Sequence, residues 1–482
     1  MEKFYITTAI AYVNAAPHIG FALELCQADA LARYHKMRGK EVYFLTGTDE
    51  HGTKIDQTAK ALGISPLELA DKNSALFADL CKKLNISNDD FVRTTSSLHA
   101  RGAQKFWKKI AAAGDLYEKE YEGLYCVGCE AFVLEKDLVD GECPMHKKKP
   151  ELLKEKNYFF KLSKYSEKIK KLVLSDKLLI RPESRRNEFL SLLEDGLQDV
   201  SFSRPKKTLQ WGIEVPDVPD QVMYVWCDAL TNYISALGFA DDDSKVDKFW
   251  PADVHLIGKD IIRFHAGIWI GMLLSAKIDL PKAIFVHGFM TSEGQKMSKS
   301  LGNVVDPFEV IDKFGTEAVR YYLLREIPTG DDGDFSTERF KVLYRDELAN
   351  TTGNLLRRSV AMCLKYFDGK VPESDFTEIS GRCEDSWAAY HKAFHDFNIK
   401  AAIEAILEVA RYANAYVETN KPWELAKTDT KRLAIVIANL LKMCGQIGHM
   451  LEPIMPVAAA AIIAQADKEK VSLGEPLFPM KE

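Results

Sequence analysis

Beyond about residue 336 the strand pattern of this 482-residue chain stops, and that change of period constrains its fold more than any other feature. Before it, strand-like and helix-like runs alternate. KFYITTAI (3–10) is β-rich, IGFALELCQADALARYHKM (19–37) carries apolar residues at helical spacing, and EVYFLTG (41–47) is again a short apolar strand. KIDQTAKALG (54–63) and SPLELADKNSALFADLCKKL (65–84) are helical. Strand, helix, strand with short connections implies a parallel sheet covered by helices. The alternation breaks near residue 116, where YEKEYEGLYCVGCEAFVLEKDLVDGECPMH (117–146) suggests short strands and turns around cysteines. It resumes at VMYVW (222–226), DVHLIG (253–258) and AIFVHG (283–288). After residue 336, the segments 345–367, 399–420 and 431–451 have i, i+3, i+4 apolar spacing, the mark of an all-helical domain.

A chain this long exceeds one core and divides into domains. The net charge of −6 argues against non-specific nucleic-acid binding through charge alone, while leaving room for a local basic surface. MEKFYITTAI enters a strand pattern at once, with no cationic leader. No apolar run reaches the ~18 residues of a span, PVAAAAIIAQA (456–466) included. No membrane association and a cytoplasmic location are therefore expected. The nine cysteines, without a secretory signal, point to reduced thiols or metal. Three of them fall in Cys126-x2-Cys129-x13-Cys143-x2-His146, the spacing of a compact Cys3His zinc site. Four protein ligands leave no open position, so the zinc is expected to be structural. The other six cysteines are scattered and read as buried thiols. The expected fold is thus α/β: a Rossmann-like doubly wound parallel sheet with a zinc-bearing insert, followed by an all-α C-terminal domain. Its expected boundaries are 1–115 and 221–335 for the two sheet halves, 116–220 for the insert and 336–482 for the helical domain.

In such sheets ligands sit at the carboxyl ends of the strands, so three loops matter. NAAPHIGFALE (14–24) places Pro17 and His18 at a helix start, an anion-binding position, with Gly20 allowing close approach. GTDEHGTK (47–54) nearly spells a phosphate loop, but Thr53–Lys54 reverses the final pair, and Asp49 and Glu50 would repel a triphosphate. An acid at a strand end suits an ammonium or a ribose hydroxyl. GQKMSKSLGN (294–303) sets two lysines and two serines between glycines. Alone, these read equally as a capping histidine, surface acids and a solvated loop. Together they bring one histidine and two lysines, remote in sequence, to one end of one sheet.

PHIGF (17–21) with KMSKS (296–300) resembles the paired signatures of class I aminoacyl-tRNA synthetases, usually H-I-G-H and K-M-S-K-S. TGTDEHG (46–52), YVWCDAL (224–230), LIGKDI (256–261), GNVVDP (302–307) and RYYLLREIP (320–328) are similar to the methionyl branch of that family, and the similarity runs nearly end to end. The resemblance implies that ATP, with Mg2+, activates L-methionine to the adenylate, and that the acyl group passes to the 3′ end of tRNA(Met). It implies His18, Lys296 and Lys299 as catalytic groups, and His18, Gly20, Lys259, Asp260, Lys296, Met297, Ser298 and Lys299 as the ATP site. It implies a methionine pocket of Ile10, Tyr12, Trp226, Ala229, Tyr233, His265 and Trp269, with Asp49 on the α-ammonium; Leu230 stands where some members have proline. One structural zinc per chain would shape the insert. Lysines on a glycine-flanked loop can close on ATP and open for diphosphate release. Phe21 occupies the fourth H-I-G-H position and cannot donate a hydrogen bond, leaving His18 as that motif's donor.

The 116–220 insert leaves no obvious room for the editing domain of the branched-chain enzymes, and TTAIAYVN (7–14) lacks the thiolate of a cysteine enzyme. Methionine's flexible thioether suits aromatic walls. In the helical part, Asn350, Asn354 and Arg358 recur at i, i+4, i+8 and share a face, and Trp423 in NKPWELAK (420–427) could stack on an unpaired base; the resemblance makes these the anticodon contacts. With no appended dimerisation module, a monomer is expected. The alternatives are another class I synthetase, a small-molecule adenylyltransferase using no RNA, and a non-catalytic tRNA-binding relative.

Overall fold

The computed structural model describes residues 2–128, 130–145, 147–297 and 302–479, without the side chains of Ala131 and Lys296. The chain divides into two compact units: Met1–Pro17, Lys40–Lys82 and Asn88–Val286 form one, and His18–Gly39, Lys83–Ser87 and His287–Glu482 the other.

The first unit is built on a seven-stranded sheet. Lys3–Thr8 lies at its middle, pairing in parallel with Glu41–Asp49 on one side and Val254–Gly258 on the other. Ala11–Tyr12 and Asp90–Arg93 pair in parallel with Glu41–Asp49. Ala283–His287 follows Val254–Gly258, and Leu179–Arg181 forms the far edge, parallel to it. The chain therefore winds first to one side of Lys3–Thr8 and later to the other, the doubly wound order expected. Val254–Gly258 and Ala283–His287 are buried at every residue, which is why they read as unbroken apolar runs.

Three local expectations change. Gly47 belongs to the strand, not to a loop: a Cβ there would lie 2.0 Å from the Val92 carbonyl oxygen, so glycine is what lets Asp90–Arg93 approach. The loop is only Glu50–Gly52, and Thr53 opens a helix. VMYVW is a three-residue strand, Gln221–Met223, antiparallel to Ser203–Pro205 and outside the main sheet, before Val225–Ala229 turns helical. The insert's first strand, Leu116–Cys126, is long; it runs antiparallel to Glu151–Phe160 in register from Leu116–Phe160 to Tyr125–Glu151. Its apolar alternation is masked by charge, because Glu118 and Glu122 face lysines across the ladder, Lys156 at 2.7 Å and Lys154 at 3.6 Å.

The second unit is helical, and among the described residues no strand follows Gly333–Phe335. Tyr344–Gly353 is π-wound and runs directly into Asn354–Phe367. Ile399–Asn420 and Thr430–Leu451 are capped by Asn398 and Asp429. Arg320 is fully buried: it pairs with Asp29 at 2.7 Å and donates to the carbonyls of Leu84, Pro453 and Ile454, tying Ile19–Met37 to the later helices. Thr430–Leu451 is 22 residues long and contains an 18-residue stretch of mean hydropathy 1.3, enough to span a membrane by length and composition, contrary to the reading of the sequence. Val436, Leu440, Met443 and Met450 on it are buried within the unit, as in a core helix.

Candidate functional site

Three adjacent strands of the sheet end at a cavity of about 460 Å3. Lys3–Thr8 leads into Ile10 and Tyr12, Glu41–Asp49 ends on Asp49, and Val254–Gly258 leads into Asp260. Two short helical segments supply the opposite wall. Trp226 and Phe264 stack with centroids 3.8 Å apart and planes within 7°, making one aromatic slab. Of the residues expected around methionine, Ile10, Tyr12, Asp49, Trp226, Ala229, Tyr233 and His265 line this cavity. Trp269 does not: it is fully buried behind Tyr233, its Nε1 donating to His255 Nε2 at 3.2 Å.

Among the described residues, three buried polar atoms of the cavity lack a hydrogen-bond partner: Trp226 Nε1, Asn232 Oδ1 and Asp49 Oδ1. His265 Nδ1 lies 3.1 Å from the Ile261 carbonyl, so that nitrogen carries the proton and Nε2 accepts from the Tyr233 hydroxyl at 2.6 Å. Burial holds the His265 imidazole down to about 4, so it is neutral at physiological pH. Of Trp226, Asn232 and Asp49, only Asp49 is ionisable. Burial, reinforced by the carboxylates of Asp228 and Glu130, holds it well above the usual carboxylate range. Its Oδ1 is buried with no hydrogen-bond partner among the described residues. Asp228 behaves oppositely. Burial would raise it, but His51 at 2.6 Å and His99 at 2.7 Å bring it down to about 2. The cavity thus combines apolar walls, neutral hydrogen-bonding groups and the charged residues Asp49, Glu130, Asp260 and Arg263, of which Asp49 alone has a buried carboxylate oxygen with no hydrogen-bond partner among the described residues.

Glu50, beside Asp49, belongs to the scaffold: it pairs with Arg93 at 2.7 Å and is fully buried. Reading the sequence missed Glu130, Gly128 and Met145, which line the cavity from the cysteine-bearing turns. The spacing of those turns was visible, but not that they face the sheet.

Cys126 and Cys143 are buried; Cys129 and His146 lie outside the described residues. The two turns repeat one design. Glu130 (φ 50°) and Lys147 (φ 51°) are left-handed, each directly after the second expected ligand, and Lys147 N–H closes its turn on the Cys143 carbonyl at 2.8 Å. Buried sulfur donors on two tight turns suit a tetrahedral zinc ion. Among the described residues no group of three donors is assembled.

In the second unit, His18 caps the helix Ile19–Met37, its Nδ1 accepting from Gly20 N–H at 3.1 Å. The neutral ring then carries its proton on Nε2, as a donor to an anion requires. A Cβ at Gly20 would lie 2.9 Å from the His18 ring, which accounts for that glycine. Ile19 N–H donates to the Val305 carbonyl at 3.1 Å, so the start of this helix is joined to the segment that follows KMSKS. Asp306 and Pro307 of GNVVDP are the cap and first residue of the helix Pro307–Phe314. Met290–Ser292 and Gln295–Lys296 form a hairpin through Glu293 (φ 49°) and Gly294 (φ 75°), a two-residue I′ turn. Gly294 therefore serves that turn. Lys296 is placed by its backbone, Met297 is partly buried, and Ser298 and Lys299 lie outside the described residues. Asp260 is exposed and lines the cavity, whereas Lys259 is half-buried and does not.

Among the expected RNA contacts, Asn350 and Asn354 are exposed and line a second cavity, of about 330 Å3, walled by 473–478. Arg358 is not there; it pairs with Glu418 at 2.9 Å. Trp423 is 43% exposed, so its ring is open to solvent rather than packed in the core.

Comparison with known proteins places these features. The profile "tRNA synthetases class I (M)" matches residues 4–150 and 134–360, and "Anticodon binding domain of methionyl tRNA ligase" matches 369–476. The class is therefore that of the class I tRNA synthetases, and Trp423 alone of the four expected RNA contacts falls in the anticodon-domain match. The methionine–tRNA ligase of Brucella melitensis is 43% identical over 99% of this chain and 95% of its own length. That of Rhizobium meliloti is 44% identical over 96% and 91%. The structure of Mycobacterium tuberculosis methionyl-tRNA synthetase in complex with methionyl-adenylate superposes with a TM-score of 0.94 at 39% identity, covering 99% of this chain and 100% of that one. The chain belongs to the methionine–tRNA ligase family.

Proposed function

We propose that this chain activates L-methionine with ATP and charges tRNA(Met). A carboxylate oxygen of methionine attacks the α-phosphorus of ATP, the bond to the bridging oxygen breaks, and diphosphate leaves. A hydroxyl of the terminal ribose of tRNA then attacks the carbonyl carbon, and AMP leaves. The observation that carries the reading is Asp49: a buried carboxylate, one oxygen without a partner among the described residues, lining an aromatic-walled cavity with room for methionine. An α-ammonium supplies the missing counter-charge. Ile10, Tyr12, Trp226 and Ala229 take the side chain, and the neutral Tyr233–His265 pair closes the pocket without presenting a charge to the thioether. Trp269 supports Tyr233 from behind.

His18, Gly20, Lys296, Met297, Ser298 and Lys299 are assigned to the phosphates of ATP, accompanied by Mg2+, and Lys259 and Asp260 to its adenosine. Cations engaged with the diphosphate as it departs accelerate the step rather than merely binding substrate. Cys126, Cys129, Cys143 and His146 are assigned one zinc ion, which when bound would lock the two turns. Asn350, Asn354, Arg358 and Trp423 are assigned to the anticodon.

Aminoacylation of bulk tRNA with labelled methionine, beside ATP–diphosphate exchange, tests the whole. Exchange driven better by leucine or isoleucine than by methionine would overturn the substrate, and near-normal exchange by Lys296→Ala or Lys299→Ala would overturn the catalytic assignment. Metal analysis should find one zinc per chain.

A further inference from the structure

The wall that the cysteine-bearing turns give to the cavity has a polar component with no role assigned so far. Glu130 is 5% exposed, and its carboxylate accepts three hydrogen bonds. The Tyr12 hydroxyl donates to Oε1 at 3.0 Å, the Lys54 N–H donates to the same oxygen at 2.6 Å, and the Tyr125 hydroxyl donates to Oε2 at 2.7 Å. The donors come from three places: the segment after the first strand, the first turn of the helix Thr53–Leu62, and the strand that ends at Cys126. That helix has glycine at its cap position and no side-chain cap of its own, so Glu130 supplies from another segment the acceptor its first turn lacks. The backbone is shaped around the contact. At Gly52 (φ 110°) a Cβ would lie 2.7 Å from the Tyr12 hydroxyl and 3.2 Å from Glu130 Oε1. Asp49, in the same cavity, contrasts with this: Glu130 is engaged through both oxygens, while Asp49 Oδ1 has no hydrogen-bond partner among the described residues. Two carboxylates of one site divide the work between holding the wall and meeting the ligand.

We infer that Glu130 is a positioning residue for methionine: its carboxylate holds Tyr12 and the Gly52–Lys54 turn in the arrangement that lines the cavity. This rests on the reading of the cavity as the methionine site. Contacts that favour this arrangement of the wall lower the cost of ordering it around the substrate, so their loss appears in methionine affinity rather than in the chemical step.

The test uses the full chain and two measurements: methionine dissociation constants from the fluorescence of the cavity-lining Trp226, and ATP–diphosphate exchange. The variants are Glu130→Ala, Glu130→Gln, Tyr12→Phe, the Tyr12→Phe/Glu130→Ala double and Asp49→Asn. Glu130→Ala and Tyr12→Phe should each weaken methionine about tenfold, as loss of a hydrogen bond to a charged group does. Glu130→Gln, which keeps an acceptor oxygen, should lose less. The KM for methionine should rise in proportion while kcat and the KM for ATP move little. The double variant should be no weaker than Glu130→Ala, because one residue acts through the other. Methionine affinity within twofold of the parent in Glu130→Ala overturns the inference, and so do single penalties that multiply in the double. If Glu130→Ala does not fold, Tyr12→Phe decides by the same twofold criterion. Failure of the underlying reading looks different: Asp49→Asn would then bind methionine as the parent does.

Discussion

The cavity of the sheet unit and the candidate RNA face of the helical unit meet their ligands under opposite physical conditions. Around the cavity the polar groups are buried and oriented: Tyr233 by His265, Tyr12 by Glu130, and Asp228 by two histidines. On the helical unit Asn350, Asn354 and Trp423 are exposed, and Arg358 is held only by a partly exposed ion pair. A small ligand is selected by groups whose desolvation and ordering were met during folding. A large anionic one can be read by side chains that become ordered on contact, because its area and charge offset that cost. Single substitutions should therefore act strongly in the first region and weakly in the second.

Asp49 is where that comparison can be broken most decisively. Truncating one partner of a buried charge pair costs about 2–5 kcal/mol, so Asp49→Asn should lower kcat/KM for methionine in exchange assays by two orders of magnitude or so. The same change should raise stability. The folded protein holds Asp49 above its unfolded value, so its protonated form favours folding, and that contribution is present at low pH and lost as pH rises through the raised value. At neutral pH Asp49→Asn removes the penalty, and its thermal midpoint should exceed the parent's. Methionine binding should release a proton and tighten as pH rises toward that value. A variant that is both less stable and unchanged toward methionine would mean that Asp49 is scaffold, like Glu50.

How much of this could be read in advance follows from the same contrast. Strand ends are legible: Ile10, Tyr12 and Asp49 follow apolar runs, and the cavity forms where those runs stop. Aromatic content is less so, since Trp226 and Trp269 look alike in sequence, yet one lines the cavity and the other packs behind Tyr233. Glu130 was illegible because its partner Tyr12 is 118 residues away and only the fold of the insert brings them together. The strand Leu116–Cys126 was blurred because cross-strand charge pairs replace apolar alternation there. Thr430–Leu451 was underestimated because Asn439 and Lys442 interrupt its apolar run.

Trp423 sharpens the other side of the comparison. Stacking an unpaired base on an aromatic ring is worth about 1–3 kcal/mol, so Trp423→Ala should reduce kcat/KM for tRNA charging about tenfold or somewhat more. ATP–diphosphate exchange and the thermal midpoint should not move, because a side chain 43% exposed adds little to the core. Equal losses in exchange and charging would assign Trp423 to folding instead.

The smallest expected effect discriminates most finely. Arg358 and Glu418 pair at 2.9 Å with side chains 35% and 64% exposed. Such a pair contributes about 0–1 kcal/mol to stability. If Arg358 contacts RNA, it must exchange this carboxylate for a base or phosphate, and Glu418 is a competitor on the binding face. Glu418→Gln should then leave the thermal midpoint within about a degree and lower the KM for tRNA a fewfold at low salt, while Arg358→Ala raises it. Both differences should shrink as salt shortens the screening length toward the reach of the pair. If Glu418→Gln instead destabilises the helical unit by several degrees and leaves tRNA affinity alone, the ion pair belongs to the fold. The RNA face then lies with Asn350, Asn354 and Trp423, and the i, i+4, i+8 spacing that grouped Arg358 with the asparagines reflects helix geometry without shared function.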